Sequence, residues 1–178
     1  EPAPALRIPG PWQLEIEGRS VHLDELRSWT ERGEFRYFSG TGVYRTTFDW
    51  SASRATKDLT LWLSLGQIHE IAEIEMNGAA VGVAWMQPYR LDVTSHLRPG
   101  KNQLVVKVTN VLINRVLGQP APDVSALVEK FSQRFSQIGE RPDLKFAQNN
   151  EKSVIADPVP SGLLGPVEIR PAHRESHV

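Results

Sequence analysis

Trp85, Tyr89 and Arg90, followed along the chain by Asn110, Asn114 and Arg115, are the residues whose types and spacing point most directly to chemistry. A sugar ring offers an apolar C–H face and a rim of hydroxyls. It is held by an aromatic platform together with side chains that donate and accept hydrogen bonds in pairs. Trp85 and Tyr89 supply the aromatic part, and Arg90, Asn110, Asn114 and Arg115 the polar part, from stretches where strand-like sequence gives way to loop. The same residues also have a structural use. Trp85 and Tyr89 could plug the end of a β-sandwich, and a buried asparagine at a strand end often satisfies loose backbone groups. The residue types alone leave both uses open.

Other constellations are poorer. Glu73 and Glu75 share one face of a strand, and a glycosidase needs two carboxylates about 5–9 Å apart. Solvated charges on the outward face of a half-exposed strand explain them equally well. His173 and His177 stand at i, i+4, but His-Arg-Glu-Ser-His places its glutamate wrongly for a zinc-protease motif. Gly40-Thr41-Gly42 lacks the further glycine or Gly-Lys-Ser/Thr that phosphate binding requires. No serine sits in G-x-S-x-G. A structural Ca²⁺ needs about six to eight oxygens, and the dispersed acidic residues, without a D-x-D cluster, do not predict one. The sequence predicts no catalytic residue, no metal ligand and no cofactor.

These candidates must be carried by strands. Trp12, Leu14 and Ile16 alternate with Gln13, Glu15 and Glu17, a period of two that marks a half-buried strand. Gly42 to Trp50 is rich in aromatic and β-branched residues. Leu59, Leu61, Leu63 and Leu65 alternate with Thr60, Trp62 and Ser64, which places Trp62 on the face opposite the leucines, where it marks a candidate interface with another domain. Ala72, Ile74 and Met76 repeat the pattern, as do Leu104, Val106 and Val108. Asn77-Gly78 is the preferred pair for a two-residue type I′ hairpin, and Pro99-Gly100-Lys101-Asn102 reverses the chain again. On this punctuation Ile74 to Gly118 reads as an antiparallel meander. One segment breaks the period: Val124, Leu127, Val128, Phe131, Phe135 and Ile138 form a helical stripe over 124–138, closed by Gly139 and Pro142.

The expected fold is therefore all-β, a two-sheet antiparallel jelly-roll sandwich with one inserted amphipathic helix. It covers 12–171, with an insertion at 119–160. Residues 1–11, Pro/Ala-rich and without an initial methionine, read as an inter-domain linker of a longer protein, and 172–178 as a disordered polar tail. With 178 residues, 40% hydrophobic and 23% charged, the chain is globular and large enough for a core. A net charge of −1 gives no electrostatic case for nucleic acid or membrane as partner. No apolar run approaches the roughly 18 residues that span a bilayer. The absence of cysteine removes disulfides, thiolate metal sites and cysteine nucleophiles together.

The wording of several strands also resembles a known family. Tyr37 to Arg45 (YFSGTGVYR) is similar to the "sGtgvYr" strand of the sugar-binding, galactose-binding-like jelly-roll domain of glycoside hydrolase family 2. Ile74 to Gly82 matches that domain's "v-x-x-NG-x-x-vG" hairpin, Pro88 to Asn110 its "P-y-x-x-DvT-x-x-L-x-x-G-x-N-x-l-x-v-x-V-x-N" stretch, and Ser161 to Val167 its closing "sGllGPV". Val108-Thr109-Asn110 with Asn114 to Gly118 is more similar still to the related domain of family 106 α-L-rhamnosidases, which departs from this chain in commonly carrying a tryptophan where Val111-Leu112-Ile113 stands. The resemblance implies a non-catalytic accessory domain that supports a separate catalytic barrel of the parent chain, with a plant or microbial polysaccharide as a further partner. It also implies an extracellular or periplasmic location. In some members the loop after the "V-x-N" strand reaches the substrate, which here would be Asn110, Asn114 and Arg115.

Overall fold

The computed structural model describes residues 4–51, 59–120 and 157–173. Alternation of apolar and polar residues dictates most of what is seen: side chains of successive strand residues point to opposite faces, so each period-two run can serve one core. Among the described residues twelve strands result, β1 (Leu6–Arg7), β2 (Trp12–Ile16), β3 (Arg19–Leu23), β4 (Thr41–Trp50), β5 (Leu59–Ser64), β6 (Gln67–His69), β7 (Ile71–Met76), β8 (Ala79–Ala84), β9 (Arg90–Asp92), β10 (Gly100–Thr109), β11 (Gly162–Gly165) and β12 (Glu168–His173). A short helix α1 (Ile113–Leu117) follows β10, and two single 3₁₀ turns precede β4.

The strands form a six-stranded sheet, β3-β2-β4-β10-β7-β8, and a four-stranded sheet, β1-β12-β5-β9, with β6 and β11 paired beside them. All named pairs are antiparallel. The expected inward residues do face inward. Trp12, Leu14, Ile16, Ala72, Ile74, Met76, Leu104, Val106 and Val108 from the larger sheet lie in one core with Leu61, Leu63, Leu65 and Ile169. The fold is an all-β antiparallel sandwich.

Three local expectations change. Ile74–Gly118 is no meander. Asn77 and Gly78, with φ of 55° and 82°, do close a β7–β8 hairpin, but β9 leaves for the four-stranded sheet and pairs with β5, while β10 inserts between β4 and β7. Turn residues settle local reversals and say nothing about which sheet receives the next strand. The lead-in expected as linker is partly sheet: Leu6 and Arg7 pair with Ile169 and Glu168, Ile8 is buried, and the Pro11 carbonyl accepts a hydrogen bond from Thr46. At the other terminus, β12 extends to Ala172 and His173, the first residues of the expected tail. The expected helix at 124–138 lies outside the described residues.

Tyr44, wholly buried, receives hydrogen bonds at its hydroxyl oxygen from Trp29 Nε1 at 2.6 Å and from the Leu163 amide at 3.0 Å. Burial pushes its phenol up from 10 to about 12. A group whose folded pKa is raised contributes its stability in full below the unfolded value. That contribution is lost as pH climbs from 10 to about 12. In a spectrophotometric alkaline titration, Tyr44 should ionise only together with loss of the near-ultraviolet dichroism of the tryptophans. Ionisation of all three tyrosines with that signal intact would contradict the buried assignment.

Candidate functional site

Register fixes where the loops meet. Thr41 lies opposite Thr109, Thr109 opposite Ile71, and Ala72 opposite Ala84. Glu15, at the end of β2, lies opposite Val43. The β2–β3 turn, the segment entering β4, the start of β7, the exit from β8 and the chain after β10 therefore emerge along one end of the larger sheet. Trp85 and Asn110 directly follow β8 and β10, strands two places apart and so about 10 Å at the usual strand spacing.

The two asparagines turn inward. Asn110 accepts from the Gly40 amide through Oδ1 at 2.9 Å, and its Nδ2 donates to the Phe38 carbonyl and to Ser161 Oγ, both at 2.9 Å. Asn114 is fully buried; its Nδ2 donates to the Val159 carbonyl at 2.8 Å and to Ser161 Oγ at 2.9 Å, while its Oδ1 accepts from the Val159 amide at 2.8 Å. Ser161 Oγ in turn donates to the Val159 carbonyl. An amide side chain has two N–H donors, and both are spent in each asparagine. Of the two uses left open by sequence, Asn110 and Asn114 have the structural one: they clamp the returning chain at 159–161 onto the loop that enters β4 and the loop that follows β10.

The remaining candidates are dispersed. Tyr89 is half-buried against the core, and its carbonyl accepts from the Leu65 amide. Arg90 lies with its guanidinium 4.9 Å from the Trp62 ring centre, a cation–π contact on the outer face of the smaller sheet, where β9 pairs with β5. Trp62 is thereby half-covered by its own domain. Trp85 stands apart, 66% exposed, with Met86 at 63%. After β10, Leu112 is 64% and Val116 57% exposed, and Val111 and Ile113 are exposed too. Ile71, Val83, Tyr37 and Val159 complete the large exposed apolar side chains among the described residues, and every one lies on a segment at this end. The sequence carried a signal for this patch: Val111-Leu112-Ile113 is an apolar run directly after a strand end, where turn chemistry calls for polar residues.

Arg115 lines a different feature, an open cavity of about 270 Å³ together with Glu17, Glu34, Tyr37 and Gln119. Its backbone amide is held by Ser39 Oγ, which donates to the Val111 carbonyl. Spacing alone missed Glu17, Glu34 and Tyr37. The two carboxylates considered for catalysis face the solvent side of β7, and Glu75 is taken by Lys107, whose ammonium that hydrogen bond holds above its ordinary value. Among the described residues no group of three or more His, Asp or Glu could hold a metal ion.

The profile of the glycosyl hydrolase 2 galactose-binding domain-like family matches residues 21–134. A provisionally named beta-glucuronidase of Formosa agariphila is 34% identical over 180 residues, covering 92% of this chain and 15% of its own length. Among solved structures, a rhamnosidase from Novosphingobium sp. PP1Y superposes with a TM-score of 0.70 at 27% identity, over 93% of this chain and 15% of that one. A β-glucuronidase from Ruminococcus gnavus shares the fold with a TM-score of 0.52 at 21% identity, over 60% of this chain and 21% of its own. The chain thus spans about 15% of the length of the curated relative it matches. The resemblance read from Tyr37–Arg45, Ile74–Gly82 and Ser161–Val167 agrees with these matches. The chain belongs to the glycosyl hydrolase 2 galactose-binding domain-like family.

Proposed function

We propose that this chain is a non-catalytic accessory domain of a glycoside hydrolase, and that its loop end docks onto another part of the same enzyme. The observation that carries this reading is the segregation at that end. All large exposed apolar side chains among the described residues gather there, while the asparagines of the same loops are consumed by the fold. Exposed apolar side chains concentrated on one surface mark an interaction site. The share of the relatives that this chain spans leaves most of their length to other domains, and the hydroxyl–imidazole contact that the described residues do make, Ser95 Oγ to His96 Nδ1 at 3.3 Å, is exposed and joins adjacent residues.

The test uses paired measurements. Trp85→Asp with Leu112→Asp should leave the isolated chain within about 0.5 kcal/mol of its original stability, because both positions are open to solvent. In the full-length enzyme the same pair should lower the melting temperature and the activity together. An unchanged full-length enzyme would count against docking. The isolated chain should release no reducing sugar from rhamnosides, galactosides or glucuronides.

A second reading rests on one residue. The Trp85 indole is 66% exposed and can serve as a sugar platform. On that reading L-rhamnose, galactose or pectic oligosaccharides shift tryptophan fluorescence in this chain, and Trp85→Ala removes the shift without unfolding it.

A further inference from the structure

The cavity beside α1 has a composition that neither docking nor the Trp85 platform uses. Its walls come from three separate places, the β2–β3 turn with Glu17, the second 3₁₀ turn with Glu34, and the end of α1 with Arg115 and Gln119. Among the described residues neither carboxylate nor the guanidinium has a hydrogen-bond or ion-pair partner, although charges of opposite sign line the same 270 Å³. Glu15 with Arg45 and Glu168 with Arg170 are pairs of opposite charge on other parts of this surface. The wall is also firmly set. A Cβ on Gly118 would come within 2.5 Å of Tyr37 Cβ, so helix end and tyrosine are already at closest approach. Glu17 is in the left-handed region at φ 49°, followed by Gly18 at 75°, in a two-residue turn whose first position favours Asn, Asp or Gly. The turn gives up its preferred residue and gains a carboxylate at the rim.

We infer that this cavity is a subsite for one neutral sugar residue and that it discriminates against uronates. Two unpaired carboxylates accept hydrogen bonds from neighbouring hydroxyls, and the guanidinium fork donates to oxygens in pairs, the combination a vicinal diol requires. A uronate would bring a third carboxylate beside Glu17 and Glu34, with only Arg115 to offset it, so repulsion exceeds attraction. This deepens the accessory-domain reading and needs the glycoside-hydrolase assignment only for its biological sense. It does not depend on docking by Trp85 and Leu112.

The test is a titration of this chain, followed by nuclear magnetic resonance, with L-rhamnose, D-galactose and D-glucose and with D-galacturonate and D-glucuronate. At least one neutral sugar should shift the Arg115 Nε–H and the amides of Gly18, Tyr37 and Gly118, while the uronates bind at least about tenfold more weakly. Arg115→Ala should abolish the shifts in a folded domain. Glu17→Gln with Glu34→Gln should narrow the gap between neutral sugar and uronate, an effect that a purely structural role would not produce. Leu112→Asp, which tests docking, should leave the titration unchanged. No shift at these positions with any neutral sugar at about 50 mM, or uronates bound as well as neutral sugars, would overturn the assignment.

Discussion

Gly162→Ala is expected to cost about 3–5 kcal/mol, enough to unfold a domain of ordinary stability. The residue adopts φ of 96°, where a side chain is strained whatever the space around it. Space is also lacking: a Cβ there would lie 2.5 Å from both Trp29 Nε1 and the Tyr44 hydroxyl, the two partners of the buried hydrogen bond beneath it. Neither ring can retreat. Trp29 stacks on Tyr44 with ring centres 6.5 Å apart, and a Cβ on Gly42 would meet the other side of Trp29 at 2.5 Å. The glycine keeps β11 pressed onto two aromatic side chains, and the Leu163 amide reaches Tyr44 because of it. Denaturant melts of Gly162→Ala against Gly78→Ala, at an open turn with nothing near its Cβ, separate the two causes. Gly78 carries the conformational penalty alone and should lose about 1–2 kcal/mol.

The second large effect is expected at Asn114. Replacing it by alanine removes three hydrogen bonds and leaves the Val159 amide without its acceptor, a loss of about 2–4 kcal/mol. Asn114→Asp is the sharper probe. Its oxygens can still accept from the Val159 amide, but the Val159 carbonyl and the Asn110-bound Ser161 hydroxyl lose a donor and face a buried charge. The variant should therefore be no better than alanine. Arg115→Ala, one residue along on the exposed side, should stay within about 0.5 kcal/mol of the original. Equal stabilities across the three variants, measured by urea melts, would show that the clamp is not holding the chain at 159–161.

The asparagines also show where sequence reading stops. Period-two alternation from Trp12 to Ile16, Leu59 to Leu65 and Leu104 to Val108 gave the buried faces directly, because a strand has only two faces and one must be dry. Asn77-Gly78 gave its hairpin because few residue pairs tolerate positive φ twice. Nothing local distinguishes an asparagine that meets a sugar from one that meets a backbone amide. The partners of Asn110 are Gly40, Phe38 and Ser161, remote in sequence and brought together only by β4, β10 and β11. The Pro/Ala-rich lead-in looked like linker because Leu6 and Ile8 are too few to show a period, and their strand partner stands at the far end of the chain. The family wording did find Ser161 to Val167, and the structure supplies the reason for its glycines. Gly162 makes room for Trp29 and Tyr44, and Gly165 sits at φ of 72°, in the left-handed region that favours glycine.

On the proposed docking, the loop end is a buried interface within a longer glycoside hydrolase. Hydroxyl-radical footprinting of the isolated chain and of that proposed full-length enzyme addresses this directly, because Trp85, Met86, Leu112 and Val116 are reactive and exposed in the chain alone. Docking requires their modification to fall several-fold in the full-length enzyme, while Val105 on the outer face of β10 keeps its reactivity. Equal modification of Trp85, Met86 and Leu112 in the two samples would contradict it.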